Sequence, residues 1–113
     1  MKSKQVVLIS GASSGLGKGI AENLVTLGYK VYGGFNSTKP SENKVKYLKL
    51  DVTDNNSCQR TVDLIKKREG RIDVLINCAG ISPAGVTLDF SDQDFLKTLQ
   101  INAVGPFRLI KEV

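Results

Sequence analysis

Apolar residues along this chain fall into two alternating patterns. Short unbroken runs, Val6-Val7-Leu8-Ile9 and the stretch from Asp73 to Asn77 around Val74-Leu75-Ile76, leave no polar face and predict strands buried on both sides. Lys30 to Phe35 and Lys46 to Leu50 complete a set of four. Between strands the apolar spacing changes to three and four. Leu16, Ile20, Leu24 and Leu27 share one face of a helix from Gly15 to Leu27, with Gly28 as its stop. Asp51 to Glu69 carries Cys58, Val62 and Ile65 at helical spacing, with Gly70 behind it. The polar connection Asn36 to Asn43 is too short to be a packed helix. A last helix starts near Ser91, whose spacing to Asp94 is a capping-box pattern, with room for a break before Leu99. Phe95, Leu99, Ala103, Phe107 and Ile110 form its apolar stripe. Strands separated in this way by helices predict an α/β fold, a parallel sheet with helices on both faces, because right-handed crossovers close such units.

The sharpest break in the pattern follows the first strand, where Ser10-Gly11-Ala12-Ser13-Ser14-Gly15-Leu16-Gly17 places three glycines at a strand-to-helix turn. A missing Cβ lets backbone N–H groups approach a pyrophosphate, and the open helix N-terminus adds unpaired donors and a favourable dipole. Ser13 and Ser14 can cap the helix or donate hydroxyls to phosphate oxygens. The spacing excludes a P-loop: five residues separate Gly11 from Gly17-Lys18, and Gly19 stands where the magnesium-binding hydroxyl belongs. A dinucleotide is the ligand that this bend predicts.

The arrangement Gly-x-x-x-Gly-x-Gly resembles the short-chain dehydrogenase/reductase family in its ordinary, non-extended form. Asn77-Cys78-Ala79-Gly80, at the end of the fourth strand, is similar to that family's Asn-Asn-Ala-Gly, with Cys78 as the departure. The resemblance implies a Rossmann-type sheet, of which this chain is the amino-terminal part, truncated after about four strands. It also implies that Gly11, Ser13, Ser14, Gly15, Leu16 and Gly17 hold the cofactor diphosphate and that Asp51 and Val52 contact adenine. Asn77 is expected to brace neighbouring strands, and Ala79 and Gly80 to let the cofactor ribose lie against the backbone. For Asp51, capping the following helix is the alternative.

Cofactor choice rests on the end of strand two. An acidic residue there would bond the ribose hydroxyls and repel a 2′-phosphate, but the position is Asn36, followed by Ser37, Thr38 and Lys39. NADP is favoured over NAD, against the alternative of a surface loop that simply lacks acids. Asn102, in Gln100-Ile101-Asn102-Ala103-Val104-Gly105-Pro106, resembles the family's helix-borne catalytic Asn. In an α register Pro106 removes the donor that would bond the Asn102 carbonyl. The resemblance then implies a water on that carbonyl, linked to the active-site Lys; a packing kink is the alternative. The Ile81 to Phe90 loop is a candidate border of the substrate site.

Composition narrows the rest. The net charge of +5 over 113 residues comes from dispersed Lys and Arg with no aromatic interleaving, so no nucleic-acid partner is expected. Without histidine there is no Ser-His-Asp or His-based metal chemistry, and no metal is expected. Cys58 and Cys78 have no paired spacing and are expected to be reduced and buried. No apolar run approaches membrane length and no signal core precedes the first strand, which predicts a soluble, cytoplasmic protein. The family's proton donor, Tyr-x-x-x-Lys, is missing, since Gly33, Asn36 and Asp51 stand four residues after the three tyrosines. The resemblance therefore implies an NAD(P)-dependent oxidoreductase acting on a small carbonyl or alcohol substrate, as a homo-oligomer, with the Ser and Tyr-x-x-x-Lys lying beyond this chain. A non-catalytic dinucleotide-binding or redox-sensing protein is the alternative; a methyltransferase is disfavoured by Asn77 to Gly80 and Asn102.

Overall fold

The computed structural model describes residues 4–41, 44–80 and 91–113. The Ile81 to Phe90 candidate substrate border, and Glu42 and Asn43 of the polar connection, therefore lie outside the described residues. Four strands, β1 (Val6–Ser10), β2 (Lys30–Phe35), β3 (Lys46–Lys49) and β4 (Val74–Asn77), form one parallel sheet in the order β3-β2-β1-β4. Every residue of β1 is buried, as its unbroken apolar run requires for a strand flanked on both sides and both faces. Among the described residues there are also four α-helices: α1 (Gly15–Thr26), α2 (Asn55–Glu69), α3 (Asp92–Leu99) and α4 (Gly105–Glu112). A π-helical turn, Gln100–Val104, joins the last two, so the irregularity follows Leu99 rather than preceding it as expected.

Local chemistry explains the element ends. The second helix begins at Asn55 rather than Asp51, because Asp54 is its cap and accepts the Asn56 N–H at 2.9 Å. Asp51 instead closes a small turn of its own, so the capping alternative for this carboxylate does not hold. Gly70 ends α2 in the left-handed region and donates its N–H to the Lys66 carbonyl. Ser91 caps α3 by accepting the Asp94 N–H at 3.0 Å, as its spacing predicted.

Helices cover both faces of the sheet. On one, Val7, Ile9, Val31 and Tyr47 meet Ala21 and the half-buried Ile20, Leu24 and Val25 of α1. The predicted α1 stripe is rotated, for Leu16 and Leu27 are 76% and 65% exposed. Gly17 and Ala21, four residues apart and small, are the buried residues of α1 and bring its backbone close to the sheet; Leu16 turns to the side. On the other face Leu8 and Tyr32 pack against Cys58, Val62 and Ile65 of α2 and Leu109 of α4. Here too the stripe differs from expectation. Phe95, Leu99, Phe107 and Ile110 are exposed, whereas Gly105 and Leu109 are buried and Ile101 packs against the core. The π turn holds an extra residue per turn and so advances the helix phase, replacing the stripe read across the break with the row Ile101, Gly105, Leu109.

Two polar ties hold β1 in register with β4. The buried hydroxyl of Ser10 accepts the N–H groups of Cys78 and Ala79, each at 3.1 Å. At the other end, Asp73 Oδ2 accepts the Val6 N–H at 2.7 Å while its carboxylate pairs with Arg71 Nε at 2.9 and 3.0 Å. The Val6 N–H, then Arg71, hold the Asp73 carboxyl below its ordinary value. Ser10→Ala strands two donors and should lower stability by about 1–3 kcal/mol in denaturant unfolding, with Ser10→Thr close to wild type. A lowered carboxyl stabilises the fold above its unfolded value and loses that effect as pH falls through the folded one. The stability gap between wild type and Asp73→Asn should therefore be widest above pH 3.8 and close below it, as followed by urea midpoints across an acid series.

Candidate dinucleotide site

The chain runs outward from β1 to β2 and β3, then crosses to β4 on the other side of β1. The strand order thus reverses at β1, and in open α/β sheets a crevice at the carboxyl ends of the strands marks such a reversal. A cleft of about 660 Å³ lies there.

Its floor is the glycine bend. Gly11, at φ +65°, passes so close under β4 that an added Cβ would stand 2.6 Å from Ala79 N and Cα. A Cβ on Gly17 would stand 2.1 Å from the Gly11 carbonyl oxygen, so strand and helix meet with backbone alone between them. Gly15 is the opposite case. It also has positive φ, +58°, yet nothing lies within 4 Å of where its Cβ would be. The bend is thus packed beneath and open above. Ser14 is the extended cap residue of α1 but makes no side-chain cap bond, and no acidic residue occupies the first turn. The helix's positive end keeps donors for an anion.

Gly11, Ser13, Ser14, Leu16 and Gly17 line the cleft, together with Asn36 after β2. Gly15 and Ser37 are exposed beside it. Beyond β3, Asp51 and Val52 line it too. Asp51 Oδ1 accepts the Thr53 N–H at 2.9 Å and the Thr53 hydroxyl at 2.6 Å. That hydroxyl, then the N–H, keeps the Asp51 carboxyl below its ordinary value; Lys49 and Arg108 add to this against partial burial. Asp51 is therefore an ionised acceptor at neutral pH, with Oδ2 outside these two bonds. Its own N–H donates to Ser57 Oγ at 2.9 Å.

From β4, Ala79 and Gly80 line the cleft, and so does Cys78, which is half-buried rather than buried. Asn77 is exposed at the strand end and outside the cleft. The brace expected of it is made by Ser10. Asn102 does not line the cleft but stands at its rim, with Oδ1 3.2 Å from where a Gly80 Cβ would be. Around it the backbone departs from the α register assumed above, for the Gly105 N–H donates to the Gln100 carbonyl. Within such an i to i+5 register the donor missing at Pro106 would face Ile101 rather than Asn102, so the proline does not by itself release the Asn102 carbonyl.

Several residues that line or support the cleft carried no sequence expectation. Ser10, polar at the end of a buried apolar strand, was the legible one, and Thr53 follows Asp51 at the two-residue spacing of a side-chain turn. Lys97, Gln100 and Ile101 also line the cleft. Their approach depends on how α3 and the π turn dock, for which the sequence carries no local signal.

Among the described residues no helix is long and apolar enough to cross a membrane. A family model described as short chain dehydrogenase matches residues 5–113. The chain is 40% identical over 111 residues to a 3-ketodihydrosphingosine reductase of Bacteroides thetaiotaomicron, covering 96% of this chain and 40% of that protein. It spans less than half the length of that curated relative. Among solved structures, a short-chain dehydrogenase from Leptospira borgpetersenii with bound NAD+ superposes with a TM-score of 0.86 at 26% identity, covering 96% of this chain and 44% of that one. ElxO with NADP bound gives 0.84 at 31% identity, covering 97% and 49%. With its glycine bend, its switch-point cleft and the β4 turn in matching order, this chain belongs to the short-chain dehydrogenase family.

Proposed function

We propose that this chain is the dinucleotide-holding part of an NAD(P)-dependent oxidoreductase. The observation that carries the proposal is the bend at Gly15, backbone-packed on one side and open on the other at the N-terminus of α1. When bound, the nicotinamide cofactor supplies the hydride exchanged with a carbonyl or alcohol substrate. The N–H groups and the Ser13 and Ser14 hydroxyls around Gly11, Gly15, Leu16 and Gly17 hold the diphosphate. Asp51, ionised and with Oδ2 outside its turn, accepts from the adenine amine, and Val52 lies against the ring. Asn36 and Ser37 face the adenosine ribose, and no acidic residue stands between Asn36 and Ser41 to oppose a 2′-phosphate, which favours NADP over NAD. The exposed backbone of Ala79 and Gly80, after Asn77, admits the second ribose. Asn102, beside Gly80, is the candidate catalytic side of the cleft.

The relatives extend beyond this chain's length, and the Ser and Tyr-x-x-x-Lys of the proton-transfer step belong to that further part. We place the protein in the cytoplasm, as a homo-oligomer that covers the exposed Phe95, Leu99, Phe107 and Ile110. Neither a nucleic acid nor a membrane enters this scheme.

Titration of the full-length protein with both dinucleotides should show binding, tighter for NADP+. Gly15→Asn, which adds a side chain to the open side of the bend in a residue type that tolerates the left-handed region, should weaken it by on the order of tenfold or more while the protein remains folded. Equal affinity in that variant would overturn the placement of the diphosphate. Purified residues 1–113 should give no detectable carbonyl reduction, because the chain has no Tyr-x-x-x-Lys; turnover in a spectrophotometric NADPH assay would show the assignment of roles to be wrong.

A further inference from the structure

Arg108 does not line the cleft, yet it is bonded to two residues that do. Its Nη1 donates to the Val52 carbonyl at 3.0 Å and its Nη2 to the Gln100 side-chain oxygen at 2.8 Å. Val52 belongs to the segment after β3, whereas Gln100 opens the π turn and accepts the Gly105 N–H at its own carbonyl. The two walls are 48 residues apart in sequence, and the guanidinium fork is matched to hold two fixed acceptors at once. Packing reinforces the same junction. A Cβ on Gly105 would stand 2.8 Å from Val52 Cγ2, so the π turn rests on the Val52 side chain while Arg108 holds the Val52 carbonyl. On its other flank, the Asp51 N–H is pinned by Ser57.

We propose that Arg108 is a positioning residue for the adenine end of the cleft, fixing Val52 against the π turn so that the ring meets a rigid wall. The proposal rests on the dinucleotide reading above and deepens it. A neutral or absent side chain at 108 leaves a part-buried carbonyl without its charged donor and lets the segment after β3 move independently of α4. Rigidity of that wall is what the ligand's adenosine half would sense. The diphosphate bend, tied through Ser10 and Gly11 to β4, would not sense it.

The test uses the full-length protein, with 5′-AMP and inorganic pyrophosphate as separate probes beside NADP+. Calorimetric titration of Arg108→Ala should show about tenfold weaker binding of 5′-AMP and NADP+, with pyrophosphate affinity within about twofold of wild type. Arg108→Lys, which can reach one acceptor but not grip both, should fall between the two and covers the case in which the alanine variant does not fold. A lower melting temperature with unchanged 5′-AMP affinity would assign Arg108 a purely structural role and overturn the proposal, as would equal losses for 5′-AMP and pyrophosphate. Wild-type protein that binds none of the three probes would instead overturn the dinucleotide reading on which the proposal stands.

Discussion

The structure depends on how closely three backbone segments approach one another at the carboxyl end of β1. Gly11 lies under Ala79, Gly17 lies on the Gly11 carbonyl, and neither contact leaves room for a single Cβ. The Ser10 hydroxyl sits at the same point and takes both N–H groups of the β4 end. Strand order, helix entry and cleft floor are therefore set by one junction. Any side chain there would push α1 off the sheet or β4 away from β1, and the switch point would open.

That junction also separates stability from binding within a few residues. Gly11 and Gly17 are small because the protein packs against them, whereas Gly15 has open space where they have atoms. The same motif thus carries two physical demands, close packing below and a positive-φ, donor-bearing surface above. A helix N-terminus whose cap residue makes no side-chain bond is costly unless an anion or water takes its donors. The bend's shape is what the diphosphate assignment relies on.

The second half of the cleft is held differently. Segments after β3 and α3 are joined by side chains, by one unusual backbone register and by the close approach of Gly105 to Val52. Thr53 occupies one oxygen of Asp51, Ser57 takes its N–H, and Arg108 spans from Val52 to Gln100. Hydrogen bonds of this kind orient these groups and tie the two segments to each other. The π turn has a further effect. By advancing the helix phase it buries Leu109 and turns Phe107 and Ile110 outward, beside Phe95 and Leu99, so the apolar face of this segment is directed away from its own core.

Strand positions, the parallel class and the glycine bend were legible in the residues themselves. The unbroken apolar run of β1 marks a strand buried on both faces, and Gly-x-x-x-Gly-x-Gly after it has a backbone reason independent of the rest of the fold. Asp54 rather than Asp51 as the α2 cap, and Ser10 rather than Asn77 as the strand brace, were local choices between similar side chains that only three-dimensional reach decides. The faces of α1 and α4 were not legible. Periodicity shows that a helix has an apolar side, but it assumes a constant phase and gives no weight to glycine or alanine, and here Gly17, Ala21 and Gly105 are the contact points. The approach of Lys97, Gln100 and Arg108 to the segment after β3 joins parts of the chain remote in sequence, so tertiary packing alone determined it.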